Sequence, residues 1–146
     1  MRDLNVALIG YKFMGKAHSY ALMALPFFFK VGVRPVRKVI CGRNGRLVKQ
    51  AAESFGWEES ATDWREVVGR PDIDVVDIAT PPSTHAEIAI AAAEAGKHIF
   101  CEKPFTATVE EARRALDAVR RAGVKNMLGF NYRRVPAIAF ARELIR

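Results

Sequence analysis

Short apolar runs alternate along the chain with longer segments in which apolar positions recur every three or four residues. The first pattern predicts buried strands, and the second predicts amphipathic helices. The predicted strands lie near residues 4–9, 36–41, 74–79, 97–101 and 125–130. The predicted helices lie near residues 14–24, 45–55, 63–68, 84–95 and 109–122. Because strands alternate with helices, we expect an α/β fold, a doubly wound parallel sheet with right-handed crossovers.

Local signals mark the ends of several predicted elements. Capping boxes are predicted at Asp63 with Glu66, Thr84 with Glu87, and Thr108 with Glu111. Gly96 and Gly123 stand where helices are expected to end. Residues 25–35 are predicted to form a loop, whose three phenylalanines are candidates for contact with a missing domain or a partner. A further helix is expected to begin at Pro136.

The first predicted strand leads through a glycine turn into a helix. A helix N-terminus presents unpaired backbone N–H groups and the positive end of the helix dipole, so this arrangement favours a bound phosphate. Gly10 and Gly15 match the first and third glycines of the dinucleotide fingerprint G-x-G-x-x-G, whereas Lys12 replaces the second. The segment also approaches a Walker A loop, but Ala17 stands where a magnesium-binding hydroxyl is needed. A dinucleotide site is favoured, and a strand-turn-helix without a ligand is the alternative.

Length and composition indicate one globular domain. The chain has 146 residues, of which 50% are hydrophobic and 27% are charged. No run approaches the ~18 apolar residues of a membrane span, and no signal peptide precedes the first strand, so a cytoplasmic protein without membrane association is expected. Cys41 and Cys101 each end an apolar run. We expect buried, reduced thiols rather than a disulfide or a metal pair.

The net charge of +7 is concentrated in the first third of the chain. Between Leu4 and Ala52 there are nine Lys and Arg residues and no Asp or Glu. Zinc-ligand spacing and interleaved stacking aromatics, which mark many nucleic-acid modules, are missing from the sequence. An anionic small ligand near the glycine turn is therefore favoured over nucleic acid, and a solvated basic face is the alternative.

In a doubly wound sheet the ligand lies beyond the carboxyl ends of the strands. After the second strand, where an acidic residue would bind the ribose of NAD, the chain has Arg43 and Asn44. An arginine without a competing carboxylate favours the 2′-phosphate of NADP, although Asn44 can also bond a hydroxyl. His85 and Lys103 follow the third and fourth strands. By position alone, each is a candidate site residue or an ordinary structural one.

Five ordered blocks of the sequence resemble one family. These blocks are Phe13-Met14-Gly15-Lys16-Ala17-His18, Asp77-Ile78-Ala79-Thr80-Pro81-Pro82 with His85, Ala86 through His98, Cys101-Glu102-Lys103-Pro104, and Asn131-Tyr132-Arg133-Arg134. Together they resemble the cofactor domain of the glucose-fructose oxidoreductase, inositol dehydrogenase and rhizopine-catabolism (Gfo/Idh/MocA) family. The resemblance extends over essentially the whole chain and implies a Rossmann-type sheet.

The resemblance implies an NAD(P)-dependent oxidoreductase that acts on a sugar or cyclitol hydroxyl, or on the ketone in reverse. It implies that Lys103 is the catalytic residue beside the nicotinamide and the substrate, aimed by a cis Pro104. It also implies that Arg133 lies near the substrate pocket. The predicted cofactor-binding residues, from the motif and from the resemblance together, are Gly10, Lys12, Phe13, Met14, Gly15, Arg43, Asn44, Thr80, Pro81, His85, Glu102 and Lys103.

The resemblance further implies a C-terminal α+β substrate domain that is absent from this chain. Residues 1–130 are expected to form the dinucleotide-binding domain, and residues 131–146 are expected to begin the connection to the missing domain. That domain would complete the catalytic set and form a homo-oligomer interface. The chain alone is therefore expected to bind a dinucleotide weakly without turnover. A stand-alone dinucleotide-binding regulatory module is the alternative.

Overall fold

A computed structural model describes residues 1–145 as strands and helices in strict alternation. The strands are β1 (Arg2–Ile9), β2 (Val33–Cys41), β3 (Glu59–Ala61), β4 (Val75–Ile78), β5 (His98–Cys101) and β6 (Asn126–Leu128). The helices are α1 (Phe13–Phe28), α2 (Gly45–Phe55), α3 (Trp64–Gly69), α4 (His85–Glu94), α5 (Val109–Ala122) and α6 (Pro136–Ile145). Short 3₁₀ turns occupy Pro82–Thr84 and Asn131–Arg134.

The six strands form one parallel sheet in the order β3-β2-β1-β4-β5-β6. This is the strand order of the Rossmann fold, so the predicted fold class is confirmed. The last residues of the strands lie on one row across the sheet, in the order Ala61, Cys41, Ile9, Ile78, Cys101 and Leu128. All the segments that follow the strands therefore start from the same edge.

The central strand β1 is covered on both faces. Val6 and Leu8 pack with Trp57 and the buried side of α2. Ala7 and Ile9 point to the opposite face, where they belong to a larger cluster that includes residues of α3, α4 and α5. Because neighbouring strand residues face opposite sides, burial of both faces explains why β1 reads as a continuous apolar run.

The predicted loop over residues 25–35 is wrong at both ends. Helix α1 continues to Phe28 with Pro26 inside its last turn, and β2 begins at Val33. The early start of β2 follows from pairing, since Val33 lies opposite Arg2 at the start of β1. The three phenylalanines of this segment are exposed. The sequence also did not predict β3, a three-residue edge strand without an apolar run.

The helix termini confirm some of the predicted caps. The capping box at Thr108 and Glu111 is complete, and Gly96 and Gly123 adopt positive φ after α4 and α5. Asp63 caps α3 by accepting from the N–H of Arg65, but a return bond from Glu66 does not form. The predicted box at Thr84 is wrong: its hydroxyl bonds to the Thr80 hydroxyl and the Pro81 carbonyl, within the 3₁₀ turn that precedes α4. The predicted helix at Pro136 is present as α6.

Cys41 and Cys101 are free buried thiols, as predicted. Burial is the main reason that the pKa of each thiol rises to about 12. Within residues 1–145 no cluster of side chains is suited to hold a metal ion. No helix in this range has the length and apolar character needed to cross a membrane.

Candidate functional site

The glycine turn lies at the point where the order of strands reverses. The N–H of Gly10 donates to the carbonyl of Cys41 at 2.9 Å, which ties the turn to the end of β2. Gly10 has φ +113°, and a Cβ there would lie 2.6 Å from the carbonyl oxygen of Ala79, just after β4. Only glycine fits this close approach between β2 and β4. In doubly wound sheets, the crevice at this reversal is where ligands bind.

Helix α1 starts directly on the turn. A Cβ on Gly15 would lie 2.1 Å from the carbonyl oxygen of Gly10, so the helix and the turn are in backbone contact. Lys12 is the N-cap residue and makes no side-chain capping bond, and the first turn of α1 contains no acidic residue. Phe13 is exposed and Met14 is half-buried beside it. The N-terminus of α1 therefore offers its backbone N–H groups and positive dipole to an anion.

The end of β2 forms one side of this crevice. The ring of Tyr11 lies over Gly42, where a Cβ would approach the ring carbons to 2.2 Å. Arg43 is exposed and forms no salt bridge within residues 1–145. Asn44 instead caps α2, because its side-chain oxygen accepts from the N–H of Leu47 at 3.0 Å. The side-chain oxygen of Asn44 is thus already engaged by α2, which leaves Arg43 as the better placed of the two predicted residues to contact a ligand.

The basic residues of the first third of the chain do not form one patch around the turn. Arg34 pairs with Asp3 near the start of β2, at the far edge of the sheet. Lys38 pairs with Glu58, and Arg37 donates to the carbonyl of Phe55. The prediction that the charge concentrates at the glycine turn is therefore only partly correct. Lys12 and Arg43 lie in the segments that follow β1 and β2, and Lys16 and Arg46 lie in the first turns of α1 and α2.

The segments that follow β4 and β5 form the other side of the crevice. His85, which is only 1% exposed, lies between them. Its Nε2 lies 2.8 Å from the carbonyl oxygen of Thr80, and its Nδ1 lies 3.0 Å from that of Pro104. His85 therefore links the Thr80–Pro81 segment to the Lys103–Pro104 bond, which is cis as the resemblance implied. The structure thus gives His85 a positioning role between these two segments, and its predicted contact with the cofactor stays a prediction.

Lys103 and Glu102 are adjacent in sequence but face different surroundings. The Lys103 side chain is exposed, beyond the end of β5. Glu102 is 7% exposed and turned inward. One of its oxygens accepts from the N–H of Lys103 at 3.1 Å, and the other lies 3.2 Å from Nε2 of His18. The Glu102 side chain thus holds the backbone of Lys103, and its predicted contact with the cofactor stays a prediction.

Sequence reasoning missed two residues of this region, His18 and Asp77. Nδ1 of His18 lies 2.9 and 3.0 Å from the two carboxylate oxygens of Asp77. His18 follows Gly15 by one helical turn, and Asp77 interrupts the apolar run of β4. A charged residue inside a buried strand requires a partner, and this was the signal that could have found the pair.

Charge and burial together shift the pKa values of His18 and Asp77. Burial alone lowers the pKa of His18, but the hydrogen bonds and negative charges of Asp77 and Glu102 outweigh it and raise the pKa above the ordinary histidine value. Burial raises the pKa of Asp77, partly offset by His18, and the charge of Glu102 adds to the rise. The imidazolium form is therefore favoured because both ring nitrogens face carboxylates.

Arg133 lies in the 3₁₀ turn that follows β6. Strand β6 pairs with β5, the strand that leads to Lys103. Its side chain is exposed, with the guanidinium 6.0 Å from the centre of the Phe130 ring. Arg133 therefore follows a strand end at the same edge of the sheet as Lys103, and its place near a substrate pocket stays a prediction.

The fold and the glycine turn are those of a dinucleotide-binding domain, and comparison with known proteins identifies its family. Residues 4–130 match the family model of the Gfo/Idh/MocA oxidoreductases, described as an oxidoreductase family with an NAD-binding Rossmann fold. The chain belongs to this family.

Several relatives have assigned names. The chain is 56% identical over 146 residues to levoglucosan dehydrogenase of Pseudarthrobacter phenanthrenivorans, which covers 99% of this chain and 37% of that protein. It is 42% identical over 114 residues to scyllo-inositol 2-dehydrogenase (NAD(+)) of Bacillus subtilis, which covers 76% of this chain and 33% of that protein. A solved structure of levoglucosan dehydrogenase in complex with NADH and levoglucosan superimposes with a TM-score of 0.94 at 56% identity, covering 99% of this chain and 39% of that one. The chain therefore spans little more than a third of the length of these relatives.

Proposed function

We propose that this chain binds a nicotinamide dinucleotide across the carboxyl edge of the sheet, as the cofactor-binding part of a sugar or cyclitol dehydrogenase. The observation that carries the proposal is the meeting of three segments at one edge: the Gly10–Gly15 turn, the Thr80–Pro81 segment, and Lys103. They follow β1, β4 and β5, whose last residues lie side by side on one row. The NADH-bound structures of levoglucosan dehydrogenase, with the same fold, support it.

In this arrangement the two sides of the crevice bind different parts of the dinucleotide. The pyrophosphate would lie at the N-terminus of α1, where backbone N–H groups and Lys12 supply positive charge. The adenosine half would lie toward Gly42 and Arg43, and the nicotinamide half toward Thr80 and Lys103. When bound, the nicotinamide supplies the capacity to accept or donate a hydride.

Lys103 is the residue of this chain that we assign to the chemistry of the substrate hydroxyl. Its side chain is exposed at the end of β5, while its backbone N–H is fixed by Glu102 and the following peptide is linked to His85 through Pro104. A flexible ammonium on a fixed backbone can orient a substrate oxygen and exchange a proton with it at Nζ. We propose that Arg133 contacts the substrate from the neighbouring segment. The names of the relatives support a sugar or cyclitol as substrate.

The choice between NAD and NADP depends on Arg43. An exposed guanidinium with no carboxylate beside it in the segment after β2 can accept a 2′-phosphate. We propose that the site takes NADP(H) in addition to the NAD(H) found in structures of relatives.

A fluorescence titration of the chain with NADH and with NADPH, side by side, tests the proposal. Arg43→Ala is expected to weaken NADPH binding by roughly tenfold, the effect of one charge-assisted contact, and to leave NADH binding nearly unchanged. Arg120→Ala, an exposed arginine in the last turn of α5, is the matched control and should change neither affinity. Absence of binding of both dinucleotides would contradict the proposed function. Equal losses from both variants would contradict the role of Arg43.

A further inference from the structure

His18 joins three elements beneath the candidate site. It lies on α1, and its ring nitrogens face Asp77 on β4 and Glu102 at the end of β5. Its side chain is 12% exposed, and those of the two carboxylates are 8% and 10% exposed. The edge of the imidazole also meets the ring of Phe100, with centroids 5.4 Å apart and an angle of 74°. Packing and hydrogen bonds therefore leave the ring one orientation.

The two carboxylates that face His18 determine how its ring nitrogens form hydrogen bonds. A carboxylate can only accept hydrogen bonds, so a ring between two carboxylates donates from both nitrogens when it is protonated. A neutral ring donates from one nitrogen only and leaves the other facing a carboxylate without a proton between them. Asp77 and Glu102 are the acidic groups that face the ring, and the Cys101 thiol nearby stays uncharged because its pKa is raised to about 12.

The position of Glu102 is also fixed from the opposite side. A Cβ on Gly129, just after β6, would lie 2.7 Å from the Glu102 oxygen that faces His18. Gly129 is held by its own N–H, which donates to the carbonyl of Cys101 at 2.8 Å. A side chain at position 129 would therefore crowd the carboxylate at this point. The carboxylate of Glu102 is therefore enclosed between α1 and the end of β6.

We infer that His18 is a positioning residue: with Asp77 behind it, it holds Glu102, and Glu102 in turn holds the backbone of Lys103 at the candidate site. The chain of contacts runs from Asp77 through both ring nitrogens of His18 to one oxygen of Glu102. The other oxygen of Glu102 then accepts from the N–H of Lys103. The importance of this chain of contacts for catalysis rests on the proposed function, whereas the structural link from His18 to Lys103 does not.

Nuclear magnetic resonance of the uniformly ¹⁵N-labelled chain without cofactor tests the link. The imidazole of His18 and the backbone amide of Lys103 are followed through a pH titration. The inference predicts that the Lys103 amide shifts with the same midpoint as the His18 ring. A Lys103 amide that does not respond at that midpoint would overturn the inference, and this test needs no variant.

Two variants sharpen the test. His18→Gln is expected to abolish the matched titration of the Lys103 amide, since an uncharged side chain replaces the ring. His98→Gln is the matched control, because His98 also lies on the sheet but its ring accepts from the Lys125 N–H, at the opposite end of β5 from Lys103. Persistence of the Lys103 titration in His18→Gln, or its loss in His98→Gln, would overturn the inference.

A parallel NADH titration separates this inference from the proposed function. If both hold, His18→Gln weakens NADH binding by about threefold or more and His98→Gln does not. If the wild-type chain fails to bind NADH while the Lys103 amide still follows His18, the proposed function fails and the link stands. If wild type binds NADH and the Lys103 amide ignores His18, the link is refuted and the proposed function stands.

Discussion

Replacing Gly15 by alanine is expected to destabilise the chain and to damage the dinucleotide site together. The added Cβ would lie 2.1 Å from the carbonyl oxygen of Gly10 and 2.9 Å from its carbonyl carbon. Both contacts are with backbone, so no change of rotamer relieves them. Either α1 or the turn must move by about 1 Å, a distance that matters where backbone groups are aimed at a ligand.

The magnitude follows from two opposing effects. Overpacking of a well-packed site costs about 1–3 kcal/mol, and a clash between backbone atoms belongs at the upper end of that range. Alanine recovers at most about 1 kcal/mol of helix propensity. The net loss in the free energy of unfolding is therefore about 2 kcal/mol. With a urea dependence of about 2 kcal/mol per molar, the midpoint falls by about 1 M.

Urea unfolding of Gly15→Ala beside Gly69→Ala measures this loss. Gly69 ends α3, and a Cβ there would have no neighbour within 4 Å. The control should be unchanged or up to about 1 kcal/mol more stable than wild type, because alanine gains helix propensity there without a clash. NADH affinity, measured on the same samples below the unfolding transition, should fall for Gly15→Ala only. Equal midpoints and equal affinities for the two variants would refute the close contact between turn and helix.

Three further predictions concern other parts of the chain. Cys41 and Cys101 should react with a thiol reagent only after unfolding, because both are buried and their pKa values are raised to about 12; rapid labelling of the native chain would contradict this. Thr108→Ala should lower the free energy of unfolding by about 1 kcal/mol in urea, since the N–H of Glu111 loses the Thr108 hydroxyl that accepts from it. Stability should fall as the pH rises from about 6.5 through the folded pKa of His18, because the raised pKa stabilises the folded state only while the ring is protonated. For His18→Gln, the free energy of unfolding should change less over the same pH range. An equal change would contradict the assignment of this pH dependence to His18.

The sequence was sufficient to predict those parts of the fold that burial determines. Strands β1, β4 and β5 read as apolar runs because they are covered by helices, and the helices between them show periodic apolar positions. Strand β3 was not predicted, because its three residues show no hydrophobic pattern. They lie at the sheet edge and are held by backbone pairing to β2. The start of β2 escaped for a similar reason, since its first residues pair with β1 beyond the buried part of the sheet.

The sequence was sufficient to predict which segments meet at the candidate site, but not which way their side chains point. The motifs placed Gly10, Lys103 and the Thr80–Pro81 segment at the correct edge, because parallel strands end on one side of the sheet. They did not show that His85 and Glu102 turn inward, since a residue type alone does not determine which way a side chain points. The cluster of His18 with Asp77 and Glu102 joins residues 59 and 84 positions apart, so only the folded arrangement brings it together.

The central claim is that a dinucleotide spans the edge of the sheet from the glycine turn to Lys103. Amide chemical-shift mapping of the ¹⁵N-labelled chain during titration with NADH tests it most directly. Binding across this edge should perturb the amides of Tyr11 through Gly15, of Gly42 and Arg43, and of Thr80 and Lys103, with little change at the opposite edge near Arg34. Perturbations centred on that opposite edge, or none at saturating NADH and NADPH, would contradict a dinucleotide site at the carboxyl edge of the sheet.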